Sequence, residues 1–180
     1  RFRSSLPNQY QAGALVSKGL SALGTEFRAG GFATENNNIN NGFLTYISVM
    51  ATENNTNIVF DDFPTGINII NHTGATPINA NLNEGESYMI GVGTNYGGTP
   101  NDLIGTLISS DKPIVVNSGS GTGSFADGSG GRDFGIDQIV GFSKVGNEYI
   151  FVRGNGGGDG SNITPNDGDK WENIIIIAHQ

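Results

Sequence analysis

Two histidines are the first candidates for acid–base or metal chemistry, because imidazole titrates near neutral pH. His72 lies in Ile69-Ile70-Asn71-His72-Thr73, beside a turn and with no catalytic partner near it in sequence. His179 aligns with Thr52 in an internal repeat set out below, so the repeat does not need it. Neither a G-x-S-x-G elbow nor an H-E-x-x-H pair occurs. Gly119-Ser120-Gly121-Thr122-Gly123-Ser124 has the glycine content of a phosphate loop. It lacks the lysine and the following helix that would place backbone dipoles on a phosphate. No residue is assigned a catalytic or cofactor-binding role, and the chain reads as a non-enzyme.

Calcium is the one ion whose donor chemistry the residue types fit. Gly158-Asp159-Gly160-Ser161-Asn162 and Asn166-Asp167-Gly168-Asp169 cluster hard oxygen donors, and Asp127, Asp133 and Asp137 flank a second segment. Calcium takes about six to eight such oxygens. The spacing matches neither an EF-hand nor the glycine–aspartate repeat of a calcium-binding β-roll, and Asp-Gly is a strong turn former. Solvated turn aspartates are therefore expected, with no metal or other cofactor required for folding. Asn54-Asn55-Thr56, Asn71-His72-Thr73 and Asn162-Ile163-Thr164 match the glycosylation sequon, as an asparagine-rich chain does by frequency alone.

The elements that carry these residues are organised by repetition. Gly19-Leu20-Ser21-Ala22-Leu23-Gly24-Thr25-Glu26-Phe27 returns at an offset of 122 as Gly141-Phe142-Ser143-Lys144-Val145-Gly146-Asn147-Glu148-Tyr149. Both glycines, the serine and the glutamate are kept, and apolar positions stay apolar or aromatic. Leu44-Thr45-Tyr46-Ile47-Ser48-Val49-Met50-Ala51 is answered by Trp171-Glu172-Asn173-Ile174-Ile175-Ile176-Ile177-Ala178 at an offset of 127. Two ordered echoes at nearly one spacing mark tandem repetition. The expected division is the end of one module at residues 1–18, a full module at 19–140 and the start of the next at 141–180. Equivalent segments should share one backbone path.

The composition narrows the class. The 180 residues include 29 glycines and no cysteine, with a net charge of −8. Scattered Lys and Arg at this density do not neutralise a phosphate backbone, so nucleic acid is not an expected partner. Absent cysteine excludes disulfides and thiolate metal sites. No hydrophobic run is long enough to span a bilayer as a helix, and no direct membrane insertion is expected.

Strand signals dominate. Residues 43–51 alternate, placing Phe43, Thr45, Ile47, Val49 and Ala51 on one face. Asn54-Asn55-Thr56 reads as a tight turn returning residues 57–60 as a hairpin partner. Further strands are expected at 25–33, 66–70, 76–82, 87–92, 103–109, 113–118, 136–142, 148–153 and 171–178. The stretch 12–23 reads as strand or coil, and 109–113 as a turn between two strands. Long loops are expected at 36–42, 119–131 and 154–170. Residues 43–51 should pair with 25–33, and 171–178 with 148–153 as a buried strand. Strands of this length argue for an all-β fold, antiparallel β-sandwich modules in tandem, with a propeller-like or barrel arrangement as the alternative.

Leu103-Ile104-Gly105-Thr106-Leu107-Ile108-Ser109-Ser110-Asp111-Lys112-Pro113-Ile114-Val115-Val116, Asp137-Gln138-Ile139-Val140 and Val145-Gly146-Asn147-Glu148-Tyr149 resemble the IgGFc-binding-protein N-terminal type of repeat. Ala51-Thr52-Glu53-Asn54-Asn55-Thr56 is similar to that family's turn motif. The version it resembles most occurs in very large Bacteroidetes surface proteins associated with type 9 secretion, gliding motility and adhesion. Two departures stand out: the cysteines of animal members are absent, and Asp137-Gln138 replaces the family's Asp-His. No catalytic residue is carried over, and immunoglobulin binding is not implied. The motif residues read as structural, with Pro113 starting a strand, Gly24 and Gly146 permitting turns, and Asn55-Thr56 closing a hairpin.

The resemblance implies a non-enzymatic repeat module of a large secreted bacterial cell-surface adhesin, linked to gliding motility or attachment and located outside the cell. Its partners would be neighbouring modules and surface polysaccharide or protein ligands. The first alternative is a purely structural stalk or filament segment. The second is a carbohydrate-binding or hydrolytic domain of a secreted enzyme, which would need paired carboxylates or an aromatic platform. Trp171, the sole tryptophan, aligns with strand residue Leu44 and fits a core position better than a sugar platform.

Overall fold

A computed structural model describes residues 2–6, 9–31, 44–74, 76–93, 103–123, 133–151 and 176–178. Nine strands form in chain order: β1 (Phe2–Leu6), β2 (Gln9–Val16), β3 (Gly24–Arg28), β4 (Thr45–Ala51), β5 (Thr56–Asp61), β6 (Ile78–Leu82), β7 (Ser87–Val92), β8 (Leu107–Gly123) and β9 (Asp133–Ile139). Short 3-10 turns cover Gly19–Ala22 and Phe142–Lys144, and the described residues contain no α-helix. The class is all-β, as expected.

All nine strands belong to one hydrogen-bonded sheet that curls on itself as a half-barrel. Its two halves share only β8. One half orders β6-β5-β8-β3, using residues 107–110 of β8 against β5. The other orders β7-β4-β8-β9-β2-β1, using residues 114–120 of β8 against β4. Every pairing is antiparallel except β2 with β9, which run parallel from Gly13↔Phe134 to Val16↔Asp137.

Alternation explains which side of β4 and β5 is buried, whereas Ile90, Gly91 and Val92 at the end of β7 are buried in succession. Thr45, Ile47, Val49 and Ala51 of β4 point inward, as do Thr56, Ile58 and Phe60 of β5. Side chains from both halves enter a single core: Phe27, Ile58, Phe60, Ile78 and Ile108 from one, and Ile47, Val49, Ile90, Ile114 and Val116 from the other. Burial of such side chains, at about 25 cal/mol per Å² of apolar surface, holds the curl closed. The layers expected of a sandwich thus face each other, but β8 joins them into one sheet.

Several pairings differ from expectation for one reason. β4 and β5 were expected as a hairpin, yet β4 pairs with β7 and β8 while β5 pairs with β6 and β8. The tight turn forms, with Asn55 at φ 55°, but it carries the chain from one half to the other as an arch. Residues 83–86 make a second arch between β6 and β7. β3 pairs with β8 rather than with β4. The turn expected at 109–113 lies inside β8, whose 17 residues also absorb Gly119–Gly123 from an expected loop. Residues 66–70 form no strand, and neither do 148–151. Residues 176–178 also carry no strand, and Ile176 is 84% exposed, so the expected buried pairing with 148–153 is not formed there. The expected loops at 36–42 and 154–170, together with Phe43 and Trp171, lie outside the described residues.

Phe60 is fully buried at the centre of this core. Replacing it with alanine should cost about 3–5 kcal/mol, the range for deleting a buried aromatic ring. In a chain this size the melting temperature should then fall by about 6–20 °C. Met89→Ala on exposed β7 is the control and should move stability by no more than about 0.5 kcal/mol.

Candidate functional site

The motif residues at 51–56 and 110–113 converge on one rim, where the two arches meet the crossing of β8 between halves. Along β3 the partner shifts from Ser109, opposite Glu26, to Ile114, opposite Gly24, so Ser110-Asp111-Lys112-Pro113 bulges from that ladder. Pro113 therefore sits at a bulge within a strand, where a missing N–H does least harm. Asp111 grips the adjacent strand: the Asn57 backbone N–H donates to Oδ1 at 2.8 Å and Asn57 Nδ2 donates to Oδ2 at 2.7 Å. Asn81 Nδ2 in turn donates to Asn57 Oδ1 at 2.8 Å. Lys112 Nζ donates to the Asn54 carbonyl, and Thr52 Oγ1 to the Pro113 carbonyl. The arches are tied to each other by Gly85 N–H to the Ala51 carbonyl, Glu84 N–H to Asn54 Oδ1 and Asn55 N–H to Asn83 Oδ1.

These bonds set the electrostatics of the rim. Asn57 donates twice to the Asp111 carboxylate, through its side chain and then its backbone, and holds that pKa below the ordinary carboxylate value. The line Asn81–Asn57–Asp111 presents oriented amide and carboxylate groups to solvent. Such a row can hydrogen-bond a polar ligand; it contains no acid–base pair poised for proton transfer.

A second cluster joins the two copies of the repeat. Gln138 is almost fully buried and closes over the loop after β2. Its Oε1 accepts from Lys18 N–H at 2.6 Å, Gly19 N–H at 2.9 Å and Ser17 Oγ at 3.3 Å, while Nε2 donates to the Gly19 carbonyl at 3.1 Å. Lys18 pairs with Asp137 beside it. Just beyond, Gly24 and Gly141 touch backbone to backbone, and a Cβ on Gly24 would meet Gly141 Cα at 2.9 Å. Close approach accounts for Gly24; its φ is not left-handed, so the turn role expected for it is not the one it plays.

The other sequence candidates are dispersed. His72 is half-buried, its Nε2 enclosed without a hydrogen-bond partner and packed by Gly74. Asp137 serves the Lys18 ion pair, and Asp133 lies on the same strand. No group of three or more His, Cys, Asp or Glu side chains is placed to hold a metal among the described residues. His179, Asp127, Asp159, Asp167, Asp169 and Asn162 lie outside them. Gly119 belongs to β8, where any Cβ would stand 2.4 Å from the Gly135 carbonyl oxygen, so close strand approach explains it. In the Asn54 sequon, Thr56 is fully buried and donates to the Glu53 carbonyl. Gln138 was legible only as a departure from a family motif, and the Asp111–Asn57 clamp only as a motif residue without a partner.

Two variants test these clusters. Gln138→Ala should cost about 0.5–1.5 kcal/mol, because the part-buried bonds from the Lys18 and Gly19 N–H groups lose their acceptor. Faster amide hydrogen exchange at those two residues is the local readout. For Asp111, a folded pKa below the unfolded one means stability that is fully present above the unfolded value and lost as pH falls through the folded one. The stability gap between the native chain and Asp111→Ala should therefore be constant near pH 7. It should shrink once pH drops below about 4, as followed by urea midpoints.

Among the described residues no helix is long and apolar enough to cross a membrane. No curated protein and no solved structure matches the chain. A family model does, over residues 13–176, a span that takes in the second half of β2, β3 to β9, the rim, the Gln138 clamp and both copies of the 3-10 turn. That family is one of binding proteins rather than of enzymes. The chain belongs to the family described as IgGFc binding protein.

Proposed function

We propose that this chain is a tandem repeat module of a large secreted bacterial cell-surface adhesin, engaged in attachment or gliding motility and acting without catalysis or a resident cofactor. One observation carries the reading. The Gly19–Ala22 turn closes with Leu23 N–H donating to the Leu20 carbonyl at 3.2 Å. At the repeat offset, Val145 N–H donates to the Phe142 carbonyl at 3.0 Å, and both turns exit with extended ψ, 145° at Leu23 and 135° at Val145. The closing bond and the exit thus recur with the sequence, as local structure does in proteins that extend by adding modules. The entries differ, Gly19 standing at φ 62° and its equivalent Gly141 at φ −59°. Residues 1–18, 19–140 and 141–180 are then the end of one module, a whole module and the beginning of the next. Partners are neighbouring modules and, through exposed polar surface such as the rim, polysaccharide or protein ligands outside the cell. The family supports a binding role, and among the described residues the acid–base groups named above are dispersed.

Adhesin and stalk differ in avidity. Beads carrying the chain as one copy, or as two or four fused copies, should be retained under flow on polysaccharide- or glycoprotein-coated surfaces. Retention should rise more steeply than copy number, because linked weak sites add through effective concentration. Equal release from coated and bare surfaces at every copy number would favour the stalk.

A further inference from the structure

The two copies of the repeated segment meet different fates. In the first copy the turn runs into β3, which lies against β8 through Glu26↔Ser109, Phe27↔Ile108 and Arg28↔Leu107. The strip is extended by Ala29 N–H to the Thr106 carbonyl at 3.0 Å and by Gly105 N–H to the Ala29 carbonyl at 2.8 Å. Phe27 is consequently 1% exposed and Ala29 0%. In the second copy the same turn leads to Gly146-Asn147-Glu148-Tyr149-Ile150-Phe151, which forms no strand. Tyr149 and Phe151, the equivalents of Phe27 and Ala29, are 59% and 60% exposed, with their rings stacked at 6.5 Å. Ile150 between them is 84% exposed.

Three consecutive large apolar side chains in water mark an interaction surface rather than a solvated loop. Local sequence has already built the turn and aimed the chain out of it in extended form, and among the described residues no strand pairs with the second copy. We propose that residues 146–151 are a docking strip for the β8-type strand of a further repeat of this kind, which would pair with it as β8 pairs with β3. The β3–β8 contact within this chain is the template. It specifies an antiparallel strand with inward apolar residues at the positions of Ile108 and Ile114, and a polar bulge between them. Main-chain bonds would supply affinity and the apolar row would set register, as in other strand additions. This inference rests on the tandem-module reading, although it is indifferent to whether the array adheres or merely extends.

The test uses the isotope-labelled 180-residue chain and a synthetic peptide with the sequence of residues 104–117, flanked by lysines for solubility. Saturating peptide should slow amide exchange at residues 147–151 by about tenfold or more, as newly paired strand amides do. A peptide with asparagine at the positions of Ile108 and Ile114 should leave exchange unchanged. Tyr149→Ser combined with Phe151→Ser should weaken peptide binding by about tenfold or more, consistent with loss of buried aromatic anchors. Both side chains are exposed, so this double variant should melt with the parent and its failure to bind would not reflect unfolding. Absence of protection at 147–151, or protection and shift changes at Gly24–Arg28 instead, would overturn the proposal. The flow experiment above can fail while this one succeeds, which separates a wrong adhesin reading from a wrong docking strip.

Discussion

One strand must serve both halves of the sheet, and the rest of the fold is arranged around that demand. β8 cannot change partners without leaving its ladder for a few residues, and the departure exposes backbone groups that need new partners. The Asp111 carboxylate and the Lys112 ammonium, at the bulge itself, bind the neighbouring strand and arch. Charged groups suit this task because their hydrogen bonds are stronger than neutral ones and survive partial exposure. With the crossing set, the arches at 52–55 and 83–86 have a fixed rim to close against, and the apolar faces of the two halves meet in register. A motif that looks functional because it is polar and glycine-poor amid loops therefore acts as the hinge pin of the scaffold. Its outer edge remains available as binding surface.

The repeat separates what local sequence determines from what tertiary context determines. The 3-10 turn and its extended exit are made twice from two related sequences, with the same hydrogen bond in each. Burial is not repeated. Ala22 is buried where its counterpart Lys144 is exposed, and Phe27 is enclosed where Tyr149 is open. Turn geometry is settled within a few residues, whereas a strand exists only when another lies beside it. The same division explains the joint between copies: Gln138 and the Gly24–Gly141 contact are long-range arrangements with no local signature.

The all-β class, the inward face of β4 and the turn at Asn54-Asn55 were legible because alternation and positive-φ asparagine are local properties. Partner choice was not. Period-two alternation says which side chains face the core but not which strand lies alongside. A tight Asn-Asn turn followed by an alternating strand looks the same for a hairpin as for an arch. The proline and charges at 110–113 read as a break in β8, since a bulge and a turn draw on the same residues. The rim was visible as a set of motifs, and its geometry was hidden because Asp111 and Asn57 are 54 residues apart.

The parallel seam between β2 and β9 has a mechanical meaning. Tension travelling along the chain peels the short β1 away first, then enters β2 at its Gln9 end and leaves β9 beyond Ile139. Because the two strands run in the same direction, those are opposite ends of the seam. The hydrogen bonds between Gly13–Val16 and Phe134–Asp137 are then loaded together in shear, rather than opened one after another like a zipper. The buried Gln138 amide and the Lys18–Asp137 pair lie at the loaded end and share that force. A seam loaded this way resists pulling by the number of bonds acting at once, so a short parallel pairing suffices to bear tension.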